Sequence, residues 1–371
     1  MLWRKWANRT LLVAVAGSVL LAASSGLGQP QALASVGDNT YSGVTLPPNQ
    51  GPIGVQATPG LEILAPSEAS RPDFARDVLG DPWDMQNAND VDYMDHVNHS
   101  SFSAAGWYGE VDQGVVANIA LFAPGGPGNP SGVSSIDGTK YYRFTYDLYV
   151  QRSSASDSTN HRIIYLTKWP FQSGTQHCST ALPYLGYNAW YTYQYDLRNP
   201  PGGATGCGGA WNWTGSTLKA LLVWPHEQWN TPGSGRGPQY FKYRNISLKG
   251  DNKASSSFPI NWCVADGDGD DVTTSLYYDT DTTWGGGVFL TSRVTQLTPS
   301  SLGPRKIYLP IISSPGGGSS GLGCSLSGGK PETYSWATAG VANGTYYVWF
   351  EVTDGHTTSR QVSAVPVYVA H

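Results

Sequence analysis

The chain has 371 residues, 13% charged and 12% aromatic, with 45 Gly, 25 Pro and 14 Trp and a formal net charge of −5. Its acids are 21 Asp against 6 Glu and its bases 13 Arg against 9 Lys, so turn and strand formers outweigh helix formers. This argues against helical bundles and doubly wound nucleotide-binding folds, and an acidic chain without a basic stripe argues against nucleic acid as a partner.

Arg4, Lys5 and Arg9 precede an apolar run over 11–23, followed by Ala32, Leu33 and Ala34. A basic head, a short apolar centre and a small-x-small site predict a signal peptide over 1–34, removed on export. The apolar run falls short of the roughly 20 residues that span a bilayer. The mature chain is therefore expected to be secreted, extracellular or at the cell surface, with no transmembrane anchor. The 4 Cys fit that compartment. They allow three pairings, of which Cys178 with Cys207 and Cys263 with Cys324 is the simplest, because each pair stays within one region. Neither pair has the spacing of a zinc knuckle.

Residues 35–73 are rich in Gly, Pro, Ser, Thr and Asn and hold no lasting apolar period, which predicts a linker. Over 74–253, short runs of period two alternate with Gly/Pro clusters. Tyr142, Phe144, Tyr146, Leu148 and Val150 share one face of a strand, and Arg143, Thr145 and Asp147 the other; Val115, Ala117, Ile119 and Leu121 alternate likewise. Residues 254–371 hold a second set of strands, with Tyr346, Val348, Phe350 and Val352 on one side and Tyr347, Trp349 and Glu351 on the other. Many short strands without a helical period predict an all-β protein of two β-sandwich domains.

Two resemblances follow. Residues 260–270 (Ile260, Trp262, Cys263, Asp266), 275–281, 334–338 and 343–355 resemble the fibronectin-III/Ig-like modules of exported bacterial proteins. The 297–330 stretch, with Cys324 and an apolar run at 306–312, is longer than such a loop usually is. More weakly, Asp81, Trp83 and Asp84, the run 190–197, and the stretches 218–227 and 240–250 are similar to the jelly-roll modules attached to bacterial carbohydrate-active enzymes. The fold implied is a jelly-roll-like sandwich followed by an Ig/fibronectin-III-like one. The role implied is sugar binding or domain spacing.

Asp266, Asp268, Asp270 and Asp271 lie in a Gly-rich loop whose spacing can converge oxygens on Ca2+, with Asp279 and Asp281 as possible further ligands. Tyr277 occupies the twelfth position, where an EF-hand needs an acid, so the alternatives are a structural Ca2+ site and a plain Asp/Gly turn. Sugars are commonly held on aromatic faces. Tyr191, Tyr193 and Tyr195 form one stripe, with Trp190 facing the other way, while Trp211, Trp213 and Trp229 sit in polar, Gly-rich stretches. The stripe is either a platform or core filling. Trp211, Trp213, Trp229, Tyr191 and Tyr193 are the carbohydrate-binding candidates. Glu110, Asp112 and Glu227 are the acids nearest to aromatic segments, and a glycosidase would need a facing pair. His96 and His99 with Asp92 and Asp95 form a metal constellation that a solvated turn explains equally. The Gly317–Gly321 match to a nucleophile elbow lies in low-complexity sequence with no flanking strand and helix. The expectation is a secreted, non-catalytic protein that binds polysaccharide or a cell-surface glycan. The alternatives are a structural surface or appendage component and, last, a glycan hydrolase or lyase.

Overall fold

The structure, a computed structural model, describes residues 58–111, 116–129, 132–151, 159–203, 205–226, 239–297 and 323–371. The signal peptide, most of the linker tract, the 306–312 run and the 317–321 motif lie outside them.

Strands dominate, arranged in two sandwiches. One sheet of the first runs Trp190–Asp196, Arg143–Val150, Gln239–Lys249, Gly106–Val111, Val97–Ser103. Its partner runs Thr205–Gly208, Gln176–Ser179, Asn160–Leu166, Ala220–Trp224, Asn118–Phe122, Tyr93–Asp95, with Leu182–Pro183 paired onto Asn160–Leu166. The predicted alternation sets the inward faces: Phe144, Tyr146, Leu148 and Val150 of one sheet meet Ile119, Leu121, Ile163, Tyr165, Leu221 and Val223 of the other in one buried cluster. Each such large side chain withdrawn from water stabilises by about 1.5–3 kcal/mol.

The second sandwich joins a three-stranded sheet to a six-stranded one. The first is Gly60–Ala65, Ser257–Ala265, Lys330–Ala337; the second runs Asn252–Ala254, Val367–Val369, Gly344–Thr353, Val272–Asp279, Val288–Thr295, with Thr358–Val362 paired onto Gly344–Thr353. Ile260, Trp262, Leu276, Val348, Phe350 and Val352 fill its core.

One expectation is corrected here. The tract read as linker contains a strand, Gly60–Ala65, antiparallel to Ser257–Ala265 with Leu61 opposite Val264 and Ile63 opposite Trp262. Leu61 and Ile63 pack against the second core. The run Leu61-Glu62-Ile63 does alternate, but its brevity among prolines and glycines masked it. The chain thus begins its described course in the second sandwich, builds the first, and returns. Where it crosses, buried Asp251 accepts hydrogen bonds from Arg71 Nη1 and Arg143 Nε, each at 2.7 Å, and from the Tyr142 hydroxyl.

Candidate functional site

The Asn160–Leu166, Ala220–Trp224 and Asn118–Phe122 strands depart from simple alternation. Ile163, Tyr165, Leu221 and Val223 face the core, yet Ala120, Ile164, Leu166, Ala220 and Leu222 on the opposite face are also apolar and buried. A strand buried on both faces reads as a continuous apolar run, and residues 119–123 and 220–224 are such runs. This outer face is covered by aromatic side chains at its rim, which leave a groove of about 500 Å³.

Ile164, Leu166 and Leu222 floor the groove, and Tyr93, Trp169, Phe171 and Trp224 wall it. Tyr93 and Phe171 are 43% and 57% exposed, against the usual burial of large aromatics. Tyr93 and Trp169 meet edge-to-face with centroids 5.6 Å apart. Local structure fixes each wall. Trp169 and Phe171 lie in the hairpin between Asn160–Leu166 and Gln176–Ser179, closed by Thr167 N–H to Thr175 O at 3.0 Å. Its turn needs Gly174 at φ +78°, a conformation side-chain-bearing residues resist. Tyr93 begins a strand whose entry is held by Asp92: the buried carboxylate accepts from Ala123 N–H at 2.6 Å and Gly128 N–H at 2.7 Å. Burial raises the Asp92 pKa, and the two amide bonds oppose that rise. The Trp224 indole donates to Asn118 Oδ1 at 2.7 Å. Since an indole can only donate, this fixes the amide orientation and leaves Asn118 Nδ2 as a donor for a ligand. Asp95 and Gln176 add polar groups. The groove therefore offers ring faces beside a few directed polar atoms, the combination typical of small-molecule sites.

The predicted site residues fall elsewhere. Trp213 is 0% exposed, with its indole donating to Tyr141 O at 2.8 Å, and Tyr193 is 4% exposed; both are core residues, which corrects their reading as platforms. Tyr191 and Trp211 are half-buried against that core, and the Trp211 indole donates to Leu197 O at 2.7 Å. Trp229, Asp112 and Glu227 lie outside the described residues. Glu110 pairs with His99, Oε2 to Nδ1 at 2.8 Å, and His96 lies against Asp95 at 3.4 Å, so the two histidines serve different carboxylates. The sequence contained the groove's signals, the aromatic-flanked apolar runs, but a period-two reading of residues 115–121 hid their second buried face.

Both expected disulfides are formed, Cys178–Cys207 and Cys263–Cys324, with Cα separations of 5.2 and 5.6 Å. The first joins the Thr205–Gly208 edge strand of the groove sheet to its neighbour, Gln176–Ser179. In the aspartate loop, Asp266 Oδ1 accepts from the amides of Asp268 at 2.9 Å and Gly269 at 3.1 Å, closing a turn. Asp268, Asp270 and Asp271 are exposed, and the Asp268 side chain hydrogen-bonds with that of Asp266. Asp279 ends the strand that Val272 begins, about 25 Å along at the usual rise, so neither it nor Asp281 folds back onto the loop. Among the described residues, one trio of His, Cys, Asp or Glu ligand atoms lies within 4.8 Å, Glu62 with Cys263 and Cys324, and its two sulfurs are spent in the disulfide.

No family model and no curated protein matches the chain. Among solved structures, the apo structure of Bacteroides uniformis beta-glucuronidase 3 is similar at 8% identity and a TM-score of 0.18, over 69% of this chain and 27% of that one. The likeness thus spans about a quarter of that enzyme, and at this level it carries no argument about activity. No described helix is long and apolar enough to cross a membrane.

Proposed function

We propose that this protein is exported and binds a polysaccharide, without cleaving it, in the aromatic groove of its first sandwich. The observation that carries the reading is the set Tyr93, Trp169, Phe171 and Trp224, held around an apolar floor beside the Asn118 amide. A pyranose presents an apolar CH face and a ring of hydroxyls, and the groove presents an apolar wall and separate hydrogen-bonding atoms. The basic, apolar, small-residue N-terminus and the two disulfides support export. Among the described residues, Asp95 is the one carboxylate lining the groove, whereas glycosidic cleavage ordinarily needs two.

A glycan array probed with the mature chain tests this reading. Retention of one or more polysaccharides, lost on Trp169→Ala, is the expected result. A mature chain that retains none would transfer the assignment to a spacer role in a surface structure. Release of reducing ends would make the protein an enzyme.

A further inference from the structure

The opposite sheet of the same sandwich carries a second, differently charged aromatic surface. Its outward phase holds Tyr108 and Glu110 on one strand, Tyr240, Lys242 and Arg244 on the next, Arg143, Thr145, Asp147 and Tyr149 on the third, and Trp190, Thr192 and Gln194 on the fourth. The pairing register sets Tyr108 opposite Lys242, Lys242 opposite Tyr149, and Tyr149 opposite Trp190. These four residues form a row across four strands, about 14 Å long at the usual inter-strand spacing. The row is flanked by Tyr240, stacked on Tyr108 at 5.8 Å and 19°. Tyr149 and Trp190 lie 5.9 Å apart.

Among the described residues, most charges on this face are matched; Lys249, at its far end, donates to Glu68 O, and Lys242 stands apart. Arg244 Nε pairs with Asp147 Oδ2 at 3.1 Å and its guanidinium lies 4.2 Å from the Trp190 ring centroid. Asp147 also accepts from Thr192 and Asn245. Glu110 is held by His99, and Arg143 by Asp251. Lys242 makes no ion pair with a described carboxylate; its ammonium lies 5.2 Å from the centroid of the Tyr149 ring. A half-buried, unmatched cation set in a row of rings is complementary to an anion carried on a stackable scaffold.

We propose that this face is a second glycan site, specific for an acidic polysaccharide, in which a uronate carboxylate meets Lys242 and the sugar packs against the outer edges of the Tyr108, Tyr149 and Trp190 row. The inference stands independently of the groove, because the two surfaces lie on opposite sheets and share no residue. The chain as a whole is acidic, at −5, so retention by a polyanion would oppose the overall repulsion and require a local site.

The test is affinity electrophoresis of the mature chain in gels containing polygalacturonate, dextran sulfate or neutral dextran, with near-UV circular dichroism as the folding check. Polygalacturonate should retard wild type, Lys242→Gln should weaken that retardation at least about tenfold, and added salt should weaken it too. Tyr149→Ala should weaken it as well. Lys242→Arg, which keeps the charge, should retain most of the binding, and it decides the matter should Lys242→Gln misfold. Lys253→Gln should leave retardation unchanged, and Trp169→Ala, scored against the polysaccharide an array selects, reports the groove separately, so that the two sites fail or stand separately. The proposal is overturned by a wild type that migrates freely in polygalacturonate, by equal retardation of Lys242→Gln, by an equal loss in Lys253→Gln, or by dextran sulfate retarding both Lys242 variants and wild type alike.

Discussion

Trp190 and Tyr193 are three residues apart in one strand and differ in fate because the side-chain period is two. The alternation was legible, but it does not by itself say which phase is wet. The charges do: Tyr149 shares its phase with Arg143, Thr145 and Asp147, and Trp190 shares its phase with Thr192 and Gln194, so these rings face solvent while Tyr146 and Tyr193 do not. Tryptophans in polar stretches gave no comparable guide, since Trp213 is drawn into the core by its hydrogen bond to Tyr141 O. Trp213→Ala should therefore lower stability by about 3–5 kcal/mol, while Phe171→Ala, more than half exposed, should cost under about 0.5 kcal/mol; urea unfolding at constant m-value distinguishes them. The buried His161 supplies a second prediction. Desolvation, reinforced by His226, lowers its pKa to about 3 from 6.5. The fold thus favours the neutral imidazole, and the resulting stability is complete above about pH 6.5 and lost as pH falls toward 3. Asp90 acts in the opposite sense, since burial raises its pKa to about 7 and stability falls as pH climbs through that range from 3.8. The His161 contribution is isolated by subtraction: the stability difference between wild type and His161→Phe should change by up to about 1.4 kcal/mol per pH unit between 6.5 and 3. A difference independent of pH would show that His161 titrates normally.

At the level of elements, the strands of the two cores followed from alternation, and the exceptions have physical causes. Gly60–Ala65 was hidden because an edge strand needs only a short apolar phase, and its stability comes from the sheet it joins rather than from its own composition. Ile63→Asp should place a charge against the second core and lower the unfolding midpoint of the chain, whereas a true linker would tolerate it. The groove strands were hidden for the opposite reason, an excess of apolar residues that fits either a strand buried on both faces or one buried on one. Cys178–Cys207 ties one edge strand of that sheet to its neighbour. Replacing both cysteines by serine should remove about 2–4 kcal/mol of stability, measurable as a lower denaturant midpoint. The aspartate loop is closed by its own backbone amides as a turn, so calcium and chelator should give the same melting temperature. A rise with calcium would show that the loop binds the ion.

For the whole molecule, the crossing of the chain between the sandwiches is a consequence of sequence that no local pattern announces. Arg71, Tyr142, Arg143 and Asp251 are distant in sequence, and their convergence on one buried carboxylate appears only in the fold. The all-β, two-sandwich plan was legible because it rests on composition and period; the site was not, because it is assembled from hairpin, edge and central strands separated by about 130 positions, from Tyr93 to Trp224. The central claim is that this assembled groove holds sugar. It is tested most directly by affinity electrophoresis of wild type, Trp169→Ala and Phe171→Ala against the polysaccharide an array selects, with thermal unfolding run in parallel. Wild type should be retarded, and each variant should lose at least about tenfold in affinity, some 1.4 kcal/mol, with its melting temperature nearly unchanged. Variants that bind as well as wild type would contradict the account.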